Sequence, residues 1–191
     1  TCPDKMVLLL ESLVSKKSND LSVEYATKSL QISKNNFISF LKNPSFKNAA
    51  EMSISSNLAG KAISISKTTA PHAVSYPFTS LFNISHGQAV GLFFEKFFQF
   101  NFDNIDKSET LFNLQKRYDL IFKIFNVKNM KDFNNHITLI KKQAGLEDNL
   151  QKLNVNIQKN SQKIIEGINL LRLGNNPVKI GEKDILKIIL S

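Results

Sequence analysis

Apolar residues recur along most of this 191-residue chain at three- and four-residue intervals. Few alternating runs and few breakers interrupt them, with only seven glycines and five prolines in all. That spacing sets apolar side chains on one face of successive helices. The chain therefore reads as a single all-α domain over residues 1–191. Residues 5–15 form the first helix, with Met6, Leu9, Leu10 and Leu13 on one face. Asn19 or Asp20 caps the second, along which Val23, Ala26, Leu30, Phe37 and Leu41 follow at helical spacing. Asn43-Pro44 ends it and starts a third helix through Met52, Leu58 and Ile63. Ser53, Ser55, Ser56, Ala59, Gly60 and Ala62 crowd the middle of that helix, which suggests close helix approach and a buried central position.

A broken stretch from Thr68 to Gly87 holds two of the three histidines, His72 and His86, with Pro71, Pro77 and a turn near Asn83–Ser85. An aromatic helix follows, carrying Phe93, Phe94, Phe97, Phe98 and Phe100. Its helical spacing favours core packing over ligand stacking. Residues 106–125, 130–144 and 158–172 give three more amphipathic helices. Gly174-Asn175-Asn176-Pro177 then forms a strong turn, and Glu182 to Leu190 is a last short helix.

Composition removes several classes. Cys2 is the one cysteine, which excludes a disulfide scaffold or a cysteine-built zinc cluster and suits a reducing compartment, the cytoplasm. No run of eighteen apolar residues is present, so no membrane span is expected. The net charge of +9 is carried by scattered lysines, with Arg117 and Arg172 the two arginines among 25 basic residues. A nucleic-acid footprint needs clustering and favours arginine, so no nucleic-acid partner is expected. No glycine-rich phosphate loop is present.

His72 and His86 lie fourteen residues apart, and imidazole is a common ligand for transition metals. The residues alone leave another reading open, in which one histidine is buried and hydrogen-bonded and the other caps a helix. The stretches Leu58–Ile63, Ala70-Pro71-His72-Ala73 and His86-Gly87-Gln88-Ala89-Val90 resemble the C-terminal domain of iron-containing (group III) alcohol dehydrogenases. Glu11-Ser12, Ser18-Asn19-Asp20, Tyr25-Ala26, Asn175-Asn176-Pro177 and Asp184-Ile185 extend the resemblance over nearly the whole chain.

The resemblance implies the helical, metal-binding C-terminal domain of a two-domain, dehydroquinate synthase-like fold. The partner domain, an N-terminal α/β nucleotide-binding domain, is expected upstream of Thr1, so the chain is expected to be incomplete at its N-terminus. It also implies a divalent metal (Fe²⁺, with Zn²⁺ as a substitute), NAD(P), a small alcohol or aldehyde substrate, and a family that often forms homodimers. Metal-assisted hydride transfer between the alcohol and NAD(P) is the implied activity, to which this chain contributes one half.

The family holds its metal with an aspartate, a histidine four residues later and two later histidines. On the alignment through Glu11-Ser12 these fall at Asp4, Leu8, His72 and His86. Leucine cannot ligate, so three ligands are expected: Asp4, His72 and His86. Asp4 also fits a helix cap behind Pro3. Tyr76 stands where many relatives have a histidine, and either donates a hydrogen bond to substrate or packs with its hydroxyl paired. Lys67, Thr68 and Thr69, with Ser75-Tyr76-Pro77, look most like the branch that interconverts phosphonoacetaldehyde and hydroxyethylphosphonate. Thr68, Thr69 and a nearby lysine, Lys61 or Lys67, are placed to meet an anionic headgroup; the other reading is that the threonines cap or pad a helix end. Two other readings stand beside this one: a truncated or degenerate inactive homologue, and a lysine-rich helical binding or assembly module.

Overall fold

The computed structural model describes residues 2–191. The expectations that fall on Thr1, and on the side chains of Cys2 and Pro3, lie outside what it describes. Among the described residues the chain is helical throughout, with one isolated bridge between Ser108 and Val178 and no strand. Ten α-helices follow in order: α1 (Cys2–Val14), α2 (Asp20–Lys42), α3 (Phe46–Ser66), α4 (Ala70–Phe82), α5 (His86–Asp103), α6 (Leu114–Phe125), α7 (Met130–Gln143), α8 (Ile157–Glu166), α9 (Leu170–Leu173) and α10 (Glu182–Leu190). None of the described helices is long and apolar enough to cross a membrane.

Local chemistry explains most of the boundaries. Asn19 and Ser45 cap α2 and α3 with reciprocal capping boxes, and Asn113, Asn129, Asn156 and Asn169 cap α6 to α9 through their side chains. Five of the asparagines thus act as helix N-caps, which satisfies N–H groups that have no partner inside the helix.

The central helix is α1, where Met6, Leu9, Leu10, Leu13 and Val14 are all buried. This corrects the expectation for α3. Its small residues do not make it a buried helix: Ser53, Ser56 and Gly60 face solvent, and a Cβ on Gly60 would meet nothing. α3 buries a single stripe (Met52, Ser55, Ala59, Ala62, Ser66) against α1 and α2. Buried serines along that seam pair with each other. Ser29 and Ser33 bond the Ser55 hydroxyl at 2.9 and 2.6 Å, and the Ser66 hydroxyl donates to Ser12 at 2.8 Å. Small side chains thus serve close approach with these serine hydroxyls matched.

The aromatic helix α5 divides two cores. Val90, Phe94 and Phe98 face the α1–α2–α6–α7 side, while Phe93 and Phe97 face α4, α8 and α10. Tyr118 is fully buried against Phe98 and donates its hydroxyl to the Phe98 carbonyl at 2.9 Å. The phenylalanines therefore pack as core.

Pro77 lies inside α4 without breaking it. A proline has no N–H for the carbonyl four residues back. Here that carbonyl, on Ala73, accepts instead from the Asn169 N–H at 3.2 Å. Asn169 comes close enough because Gly167 touches the ring: a Cβ there would stand 2.8 Å from Pro77 Cβ. Gly167→Ala is expected to cost about 1–3 kcal/mol through overpacking, seen as a lower denaturation midpoint at unchanged slope. A midpoint within error of wild type would refute the contact. Gly167 also divides the helix expected over 158–172 into α8 and α9.

Candidate metal centre

Asp4 and Glu11 are seven residues apart on α1, so they share one face two turns apart. The α3–α4 linker and the first turn of α4 pack across that face. Lys67, at φ 59° and ψ 178°, turns the chain out of α3 in a backbone region strongly disfavoured for residues other than glycine. Its ammonium donates to the Ser64 carbonyl at 2.6 Å. Thr69 occupies the N-cap of α4, but its own side chain makes no capping bond.

Glu11 takes over that task from α1. One carboxylate oxygen accepts from the Thr69 N–H at 3.0 Å, the Thr69 hydroxyl at 2.8 Å and the His72 N–H at 3.4 Å. The other oxygen accepts from Nδ1 of His72. Fully buried Glu11 thus caps α4 and fixes the ring of His72, which is 2% exposed. The Asn175-Asn176 turn braces the same corner: the Asn175 amide donates to the Thr68 carbonyl at 3.1 Å, and Asn176 Oδ1 accepts from the Ala70 N–H at 3.4 Å.

With Nδ1 engaged by Glu11, Nε2 of His72 faces Asp4 Oδ1 at 3.0 Å. Asn83 takes a left-handed conformation and turns the chain back, so that exposed His86 opens α5 with its ring 5.5 Å from that of His72. Three potential ligand atoms, from Asp4, His72 and His86, lie within 4.8 Å of one another. Two imidazoles and a carboxylate suit a divalent first-row cation. Metal–nitrogen bonds of about 2 Å require ligand atoms roughly 3–3.5 Å apart. Asp4 and His72 already meet that spacing, and the ligand atom of His86 lies within 4.8 Å of both. The donor set fits the cation. Leu8, one turn beyond Asp4, contributes no ligand atom.

The electrostatics follow from these contacts. Burial alone would lower the pKa of His72, but the charge of Glu11 and the hydrogen bonds that the ring donates to Asp4 and Glu11 outweigh it and raise it to about 9. For Asp4, burial pushes the pKa upward, yet the hydrogen bond and charge of His72 and the charge of His86 hold it below its ordinary value. His86 is lowered by burial and by the charges of His72 and Arg172, against the pull of Asp4.

The other residues singled out from sequence lie around this cluster. The Tyr76 ring is 5.9 Å from that of His86. Lys67 is exposed at the edge of a neighbouring cavity, whereas Thr68 and Thr69 are buried. The Thr69 hydroxyl is committed to Glu11, and that of Thr68 accepts from Arg172. Sequence reasoning assigned no role to Glu11 or Arg172. A lone acid inside the apolar run Met6–Val14, in helical register with Asp4, was the available signal for Glu11. For Arg172 the signal was its rarity among the basic residues.

Residues 1–191 match the family model described as Fe-containing alcohol dehydrogenase family, C-terminal. The fold is similar to that of an archaeal halo-thermophilic alcohol dehydrogenase from a Red Sea brine pool (20% identity, TM-score 0.88, covering 100% of this chain and 49% of that one). It is also similar to sulfoacetaldehyde reductase from Bifidobacterium kashiwanohense (22%, TM-score 0.84, 99% and 48%) and to an alcohol dehydrogenase from Oenococcus oeni (17%, TM-score 0.83, 100% and 50%). The chain spans about half the length of these solved structures. No curated protein matches it in sequence.

Proposed function

Because this chain belongs to the Fe-containing alcohol dehydrogenase family, matching the model of its C-terminal part from end to end, we propose that it is the metal-binding half of an NAD(P)-dependent alcohol dehydrogenase or aldehyde reductase. The observation that carries this reading is the convergence of Asp4, His72 and His86, with His72 held from behind by buried Glu11. A histidine whose second nitrogen is fixed by a carboxylate is the usual support of a metal-ligating imidazole. A divalent cation, Fe²⁺ with Zn²⁺ as a substitute, supplies Lewis acidity at this site when bound, polarising the oxygen of the alcohol or aldehyde during hydride exchange with NAD(P).

The chain's own residues do the rest. Asp4 contributes negative charge. His72 presents Nε2 in one orientation, because rotation of its ring would break the bond to Glu11. His86, on the exposed side, leaves the approach open to a small substrate. Tyr76 beside it offers a hydroxyl to the substrate oxygen.

A phosphonate-bearing aldehyde is the finer reading of the substrate. It is supported by the sequence from Lys67 to Pro77, and it is in keeping with a structural neighbour that is a sulfoacetaldehyde reductase. A second reading, an inactive homologue, is favoured by Leu8, which leaves three protein ligands. Metal analysis of the purified chain after loading with Fe²⁺ or Zn²⁺ and exhaustive dialysis decides between them. One cation per chain is expected, with retention falling at least tenfold in His86→Ala, whose exposed side chain can be removed without disturbing the core. A wild-type chain that retains no stoichiometric cation would overturn the dehydrogenase reading.

A further inference from the structure

A cavity of about 610 Å³ opens between α1, the α3–α4 linker and α9. Leu8, one turn beyond Asp4 on α1, forms part of its wall. Lys17, Lys67 and Arg172 line the cavity together with polar Thr68 and Asn169, and its wall includes no carboxylate. Arg172 is held in place there. It donates to the Thr68 hydroxyl, and its guanidinium carbon lies 5.3 Å over the Tyr76 ring. The Asn169 side chain accepts from its backbone N–H at 3.1 Å.

Thr68 is in turn fixed through its carbonyl by Asn175, so the guanidinium is anchored to buried structure on one side and faces the cavity on the other. A single contact to Thr68 uses one of five N–H donors and leaves the planar fork free for a second partner. A guanidinium already ordered by stacking and hydrogen bonding loses little freedom on binding an oxyanion, and two neighbouring lysines add to the field. Through Tyr76, which touches both Arg172 and His86, the cavity is one side chain away from the reacting end of the site.

We propose that this cavity is an oxyanion pocket in which Arg172 is the specificity-determining residue, receiving the phosphonate, sulfonate or similar charged tail of a small aldehyde or alcohol whose oxygen lies at the Asp4–His72–His86 cluster. The identity of the molecule carrying the oxyanion rests on the dehydrogenase reading, whereas the pocket's affinity for the oxyanion does not. The proposal puts anion recognition on Arg172, where the sequence expectation put it on Lys67, Thr68 and Thr69. Thr69 points its hydroxyl at Glu11, Thr68 acts as the anchor of Arg172, and Lys67 stands at the rim.

Calorimetric titration of the chain with methylphosphonate at low salt tests the assignment, with ADP as a second titrant for the phosphates of a dinucleotide. Methylphosphonate is expected to bind once per chain, and to bind at least tenfold more weakly to Arg172→Gln. That variant removes the charge and the guanidinium fork while leaving a polar side chain, and circular dichroism checks that it is folded. Equal affinity in wild type and Arg172→Gln would overturn the pocket, since diffuse attraction to surface lysines would then explain the binding. ADP binding that weakens as much as methylphosphonate binding would overturn the substrate assignment in favour of a dinucleotide phosphate. Arg172-dependent methylphosphonate binding in a chain that retains no metal would support the pocket and overturn the dehydrogenase reading alone.

Discussion

Glu11→Ala is expected to destabilise the fold by about 3–5 kcal/mol, the usual cost of leaving a buried charge partner alone. The carboxylate is fully buried and is the acceptor for the Thr69 N–H, the Thr69 hydroxyl and Nδ1 of His72. Its loss strands these donors where water does not replace it. Glu11→Gln separates the two jobs of the residue. The amide oxygen can still accept from Thr69 and the His72 N–H, so α4 remains capped. The amide NH₂ then faces Nδ1, which must turn from donor to acceptor and shift the imidazole proton to Nε2. That nitrogen is the one facing Asp4. The glutamine variant should therefore fold nearly as well as wild type but bind divalent metal about 10–100-fold more weakly. Chemical denaturation and metal titration, run on both variants, check this. A glutamine variant with wild-type metal affinity would refute the positioning role.

How far this arrangement could be read from sequence depended on how local its causes are. The cap at Asn19 and the final helix from Glu182 are set by neighbouring residues, so spacing and capping chemistry reveal them. His72 and His86 stood out because histidine is scarce and both lie in one interrupted stretch. The position of α3 was less legible. Small residues permit close approach but do not say whether one face or all faces are covered, and α3 packs with one. Pro77 suggested a break, yet the helix continues because Asn169 and Gly167, ninety residues away in sequence, accommodate it. Glu11 and Arg172 escaped for the same reason. Their partners (Thr69, His72, Thr68, Tyr76) come from other helices, and no periodicity along one segment encodes such contacts.

Metal loading is expected to reverse the pH dependence of stability above neutrality. In protein stripped of metal, His72 titrates at about 9 in the fold against an ordinary value of 6.5. A histidine raised in this way stabilises the fold fully below 6.5, and the contribution drains away as pH rises to about 9. Asp4 acts at the other end: its lowered pKa gives a contribution that is present above its ordinary 3.8 and lost on further acidification. Stripped protein should therefore be most stable between about pH 4 and 6.5 as far as this site is concerned, with a falling midpoint from there to pH 9. A cation at Nε2 requires the imidazole without its second proton, so metal and proton compete for His72 and metal affinity should rise over the same interval. At a free metal concentration a hundred times the dissociation constant, binding adds about 2.7 kcal/mol. The midpoint with metal should then hold or rise from pH 6.5 to 9 while that with chelator falls. Parallel curves with and without metal would show that the cation, if bound, does not engage His72.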